Sequence, residues 1–155
     1  MKKRFIPLLL VLALLLSFTA CGGSKETEDP NLLKIGDYEA LYTGCEIVQD
    51  LDGEDAVVMH FDFTNNGEEA QSFEWAFYYT VTQGDQELDY ALVLVDEENY
   101  TFADDEMLTD VEPGQSLEVC MSYKLKDLTT DVVVAVKDLF ESESDSVTVD
   151  LSAAK

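Results

Sequence analysis

Apolar and polar residues alternate with a period of two along most of this chain beyond residue 37. Val57, Met59, Phe61 and Phe63 alternate with Val58, His60, Asp62 and Thr64. Phe73, Trp75, Phe77, Tyr79 and Val81 alternate with Glu74, Ala76, Tyr78, Thr80 and Thr82. Leu117, Val119, Met121, Tyr123 and Leu125 do the same against Glu118, Cys120, Ser122 and Lys124. Successive side chains of a strand point to opposite faces, so this alternation predicts strands with one face buried. Val132 to Val136 and Val147 to Leu151 add two shorter strands, Tyr38 to Val48 an earlier one and Leu88 to Val95 a weaker one.

Turn residues fall between these runs. Asp52-Gly53 separates the first two strands, and glycine accepts the positive φ of a tight hairpin. Asn65-Asn66-Gly67 follows the second strand, and Gln83-Gly84-Asp85 interrupts the third. Glu112-Pro113-Gly114 puts Pro and Gly where a type II turn needs them. Asp96 to Asp110 lacks a pattern and reads as a long acidic loop. Short strands at regular spacing, without an amphipathic helix, predict an all-β domain: an antiparallel β-sandwich of about seven strands. On this reading Phe73, Trp75, Phe77 and Tyr79 face inward, with Trp75 packed between the sheets.

The first twenty residues follow a different pattern. Lys2, Lys3 and Arg4 precede an apolar run from Phe5 to Leu16, too short to span a bilayer as an ordinary helix. Small residues then lead through Ser17-Phe18-Thr19-Ala20 to Cys21 and Gly22. This stretch resembles the lipobox of bacterial lipoproteins, with Phe18 standing where Leu is usual. The resemblance implies a signal peptide over 1–20 and a diacylglyceryl thioether, palmitate-type chains included, on Cys21. Two acyl chains, at about 0.8 kcal/mol per buried CH₂, anchor stably where one would exchange. The expected address is the outer face of the cytoplasmic membrane, with that membrane as the partner of the N-terminal lipid. Residues 21–31 read as lipidated Cys and flexible tether, 32–151 as one domain and 152–155 as a tail.

Charge narrows the partners. The chain carries 33 acidic and 9 basic residues, a formal charge of −24, and loss of the signal removes three of the basic ones. Nucleic acid is excluded as a partner, because phosphate binding needs a basic footprint. High charge also keeps an exported domain soluble and separate.

A family resemblance rests on Phe61-Asp62-Phe63-Thr64-Asn65-Asn66, Gln71-Ser72-Phe73, Gln83-Gly84 with Glu87-Leu88, Pro113-Gly114-Gln115-Ser116, Tyr123 to Asp127, and Val132-Val133-Val134. These runs resemble the telokin-like, immunoglobulin-like domains of unknown function found on lipoproteins of Gram-positive bacteria. The resemblance implies an immunoglobulin-like sandwich from Lys34 to Leu151 and carries over no catalytic residue.

Candidate chemistry is sparse. Cys45 and Cys120 form the pair a disulfide would join outside the cell. Their strand phases oppose this: Cys45 shares a face with Leu41 and Ile47, whereas Cys120 is in phase with Glu118 and Ser122. The acidic run Asp50 to Asp55 has its Gly at the fourth position, against the sixth of a calcium loop, and reads as an Asp-Gly hairpin. A second acidic group comprises Asp96, Glu97, Glu98, Asp104, Asp105 and Glu106. His60 is the only histidine; without HxxxH or CxxC spacing it reads as a surface residue, and no metal site or cofactor is expected. No Gly-x-Ser-x-Gly or phosphate loop is present, so the domain is expected not to be an enzyme. The favoured reading is a non-catalytic binding or accessory domain that docks on an exported or membrane protein. Its expected partner surface is Tyr78, Tyr100, Asp104, Asp105 and Glu106, with Tyr90 as a further contact. The alternative is a single-domain lipoprotein that binds calcium or a small ligand.

Overall fold

Among the residues described by the computed structural model, 29–154 except Glu97, ten strands carry the fold. The signal segment, Cys21 and most of the tether lie outside the described residues. In chain order the elements are β1 (Leu32–Ile35), β2 (Tyr38–Gln49), β3 (Asp55–Asn65), the single helical turn α1 (Phe73–Ala76), β4 (Tyr78–Gln83), β5 (Gln86–Glu87), β6 (Leu94–Asp96), β7 (Thr101–Phe102), β8 (Ser116–Lys124), β9 (Val132–Lys137) and β10 (Ser144–Val149). One sheet has the order β1-β2-β3-β8 and the other β10-β9-β4-β5, while β6 and β7 form a separate hairpin. All pairings between these strands are antiparallel.

The inward positions of the two sheets face each other. Val57, Met59, Phe61 and Phe63 of β3, with Val119, Met121 and Tyr123 of β8, meet Val81, Val132, Val134, Val136, Val147 and Val149 of the second sheet. Each side chain of this kind contributes about 1.5–3 kcal/mol on full burial. The all-β antiparallel sandwich expected from the alternation is therefore the observed fold. Gly114 sits at φ 75 in the Glu112-Pro113-Gly114 turn, closed by a hydrogen bond from Gln115 N to Glu112 O of 3.0 Å.

Four elements depart from the expectation. The run from Phe73 does not begin a strand. Phe73 and Phe77, four residues apart, both enter the core from a helical turn, and Phe73 packs against Phe61 and Phe63 at centroid distances of 6.1 and 5.7 Å. Trp75 is halfway round that turn and is 77% exposed, so it is not a core residue. Leu88 to Val95 is not one strand; the chain leaves the sheet after β5 and crosses to the outer face of the first sheet. The acidic stretch beyond Asp96 is not irregular, since it holds β7 and a 3₁₀ turn at Asp105–Leu108. Ala91, Val93 and Ala103 from this excursion pack on Ala56 and Val58 in a second small core, which explains the apolar Val58 at an outward position. Finally β1 pairs with β2 through Gly36, at φ 56, a hairpin too short to show a period.

Two buried amides tie loops to the sandwich. Asn65 Nδ2 donates to Glu69 O and Val111 O, each at 2.8 Å, and its Oδ1 accepts from Gly67 N. Gln83 Nε2 donates to Asp127 O and Thr130 O, while its Oε1 accepts from Lys126 N. No helix among the described residues is long and apolar enough to cross a membrane.

Candidate functional site

The residues expected to make one partner surface are divided between two faces. Tyr78 stands on the outer face of β4, exposed, with Lys137 Nζ 5.1 Å from its ring centroid. Tyr100, Asp104, Asp105 and Glu106 belong to the excursion that covers the outer face of the opposite sheet. Several acids there hold turns: Asp105 Oδ2 accepts from Phe102 N at 2.7 Å, and Asp96 accepts from Glu98 N, Asn99 N and Asn99 Nδ2. Tyr78 has other neighbours.

A cleft of about 570 Å³ lies between α1, the start of β4, Tyr90 and the β9–β10 loop, lined by Glu74, Trp75, Ala76, Phe77, Tyr78, Tyr79, Tyr90 and Leu139. Trp75 is exposed because the helical turn needs Phe73 and Phe77 on its other side. Leu139 and Phe140, at the tip of the β9–β10 loop, are 81% and 86% exposed. That loop is organised by Asp138, which accepts from Ser142 N, Ser142 Oγ and Glu143 N. Exposure of single apolar residues is ordinary; here several of them gather around one concavity.

The floor of the cleft is polar and ordered. Tyr79 Oη donates to Glu74 Oε2 at 2.6 Å and lies 2.8 Å from Tyr90 Oη. Since the one Tyr79 proton goes to Glu74, Tyr90 donates to Tyr79. Tyr90 in turn stacks on Tyr123 at 4.8 Å between centroids. Burial, then the bonds to Glu74 and Tyr90, holds the Tyr79 phenol well above its ordinary range; burial does the same for Tyr123. Both stay neutral donors, giving an apolar mouth over a row of hydroxyls and one carboxylate.

The remaining candidates resolve as follows. Asp50, Asp52 and Glu54 surround Lys124 Nζ at 3.1, 3.1 and 2.8 Å, so the cation of this acidic loop is a lysine of β8. Cys45 and Cys120 are both free thiols. Cys45 lies in the core opposite Met59, and Cys120 lies opposite His60 on the other side of the same sheet, so they do not form the disulfide. His60 is not a plain surface residue: its Nδ1 lies 3.2 Å from both Glu118 Oε1 and Cys120 Sγ, and its Nε2 lies 3.3 Å from Glu46 Oε1. Burial and the charges of Glu118, Glu46 and Asp104 push the Cys120 thiol up to about 11.

Comparison with known proteins bears on the fold. The family profile described as "Domain of unknown function (DUF5067)" matches residues 23–138. A structure described as "a putative lipoprotein from Staphylococcus aureus" is similar over 81% of this chain and 97% of that chain, at 19% identity and a TM-score of 0.59. An NMR structure of a protein from Enterococcus faecalis is similar over 78% of this chain and 91% of that chain, at 19% identity and a TM-score of 0.55. No curated protein matches the chain.

Proposed function

This chain belongs to the DUF5067 family, and on that premise we propose that it is a lipid-anchored, extracytoplasmic binding module without catalytic chemistry. The observation that carries the proposal is the cleft of Trp75, Tyr78, Tyr90 and Leu139, a concave apolar mouth on an otherwise strongly acidic domain. Its occupant is an apolar side chain flanked by basic residues, presented by an exported or membrane protein. The mouth desolvates the side chain, the phenol row and Glu74 bond to polar groups beside it, and the net charge of −24 draws in a basic partner.

The anchored address is supported by the charged start, short apolar run and Thr19-Ala20-Cys21 of the sequence, and by the description of the staphylococcal neighbour. An immunoglobulin-like reading of the sandwich is supported by its two four-stranded antiparallel sheets, β1-β2-β3-β8 and β10-β9-β4-β5, between which the chain crosses from β3 to β4 and from β8 to β9.

A photo-crosslinking residue in place of Trp75, in the lipidated protein in its native membrane, tests the proposal. One stoichiometric protein captured from position 75 and absent from position 100 is the expected result. Capture only from position 100, or no capture at native expression, overturns the cleft as the docking site.

A further inference from the structure

We propose that Cys120, His60 and Glu118 form a binding site for a single zinc-class divalent transition ion, with Glu46 orienting the imidazole. The register of the first sheet builds the cluster: His60 of β3 pairs directly with Cys120 of β8. Glu118 is two residues along β8 and shares that outer face, and Glu46 reaches His60 from β2. Among the described residues, one ligand atom each from His60, Glu118 and Cys120 all lie within 4.8 Å of one another.

Two of the three separations are close to those of a tetrahedral site, and the third lies within 4.8 Å, so the exposed Glu118 carboxylate has to swing inward to complete it. Zinc takes sulfur at about 2.3 Å and nitrogen or oxygen at about 2.0–2.2 Å, so ligand atoms around one ion stand about 3.3–3.6 Å apart. Here Sγ to Nδ1 and Nδ1 to Oε1 are both 3.2 Å. A thiolate, an imidazole and a carboxylate make a borderline donor set suited to zinc or cobalt(II) and poorly suited to calcium or magnesium. Two ionised ligands balance the charge of a divalent ion.

With a neutral imidazole, hydrogen bonding leaves the cluster unsatisfied, whereas an imidazolium donates to both Glu118 and Glu46. If Nδ1 carries the proton, it has two acceptors to serve and Nε2 faces Glu46 as acceptor to acceptor. If Nε2 carries it, Glu46 is satisfied and Nδ1 takes the thiol proton, but the Glu118 oxygen then faces a lone pair. A cation held between Nδ1 and Sγ, with Oε1 of Glu118 drawn in toward it, would take up all three lone pairs of the neutral cluster. The second tautomer is also the arrangement of metal-bound histidines, whose other ring nitrogen donates to a carboxylate that fixes the ring. A cavity of about 500 Å³ beside Gly44, Glu46, His60 and Glu118 leaves room for a water as the fourth ligand.

Titration of the reduced full chain in detergent with cobalt(II) tests the proposal, because a thiolate-to-cobalt charge-transfer band reports sulfur ligation directly. One equivalent should produce the band, and zinc should displace it and protect Cys120 from alkylation. Cys120→Ser and His60→Ala should lose the band while retaining the near-ultraviolet circular dichroism of the folded domain. Glu46→Ala should keep the band but weaken affinity by about 10–100-fold. No band with the thiols shown to be free, or a band that survives in folded Cys120→Ser, overturns the site. An unchanged affinity in Glu46→Ala overturns the orienting role.

Discussion

The hydroxyls of Tyr79 and Tyr90 lie 2.8 Å apart, linking the inner face of β4 to a segment eleven residues further on that has already left the sheet. The floor of the cleft is thus part of the structure, whereas its mouth is not. Trp75→Ala and Leu139→Ala, each removing an exposed side chain, should leave stability within about 0.5 kcal/mol while abolishing capture of the partner. Tyr79→Phe should instead cost about 1 kcal/mol, the net worth of an ordinary hydrogen bond. Denaturant unfolding of the three variants beside the capture assay checks the split; loss of stability in Trp75→Ala would make that residue structural.

Asn65 is fully buried and bonds the Gly67 amide and Glu69 carbonyl of the loop after β3 and the Val111 carbonyl of the segment before β8. Asn65→Ala leaves those groups without partners. The expected loss is about 2–4 kcal/mol. Asn65→Asp keeps the shape but has no donor for Glu69 O and Val111 O, so it should rescue little. A destabilisation under 1 kcal/mol in urea, for either variant, would mean that water replaces the amide.

Lys124 supplies the positive charge within the Asp50, Asp52 and Glu54 loop, and its three carboxylate partners hold its ammonium above the ordinary lysine range. The midpoint of thermal unfolding should therefore be insensitive to millimolar calcium through this loop. Lys124→Gln should lower the midpoint at low ionic strength, and calcium should restore part of it. Equal calcium responses in the two proteins would show that the lysine does not occupy a cation site.

Asp127 accepts four hydrogen bonds, from the backbone amides and hydroxyls of Thr129 and Thr130, at 2.7–2.9 Å. These bonds, the Thr129 amide first, pull its carboxyl from 3.8 to about 2. A carboxyl lowered in the folded state stabilises above its unfolded value, and that stabilisation is lost as the pH falls through about 2. Asp127→Asn should be less stable than the parent at neutral pH and close to it at pH 2. Parallel pH profiles of the two proteins would refute the assignment.

Alternation alone carried most of the sandwich. Val57 to Thr64, Leu117 to Lys124 and Val132 to Val136 are strands in the predicted phase, because period two is a local property that survives any arrangement of the sheets. The same phases placed Cys45 and Cys120 on opposite faces, and Cys45 lies in the main core while Cys120 packs against the small cluster on the outer face. The reading failed at Phe73 to Phe77, where residues four apart satisfy a helical turn and residues two apart satisfy a strand. Only contact with Phe61 and Phe63 decides between the two, and it turned Trp75 outward to make the cleft.

What the sequence by itself determined is the class of fold, the faces of its long strands, its acidity and the lipobox-like start. The tertiary structure decided which distant residues meet. His60 stands beside Cys120 across sixty residues, Lys124 reaches Asp52 across seventy-two, and Tyr78 is on the face away from Tyr100. Side-chain periodicity reports how a residue relates to its own strand. Strand order and register, which bring ligands and clefts together, depend on pairings between segments that no local pattern records.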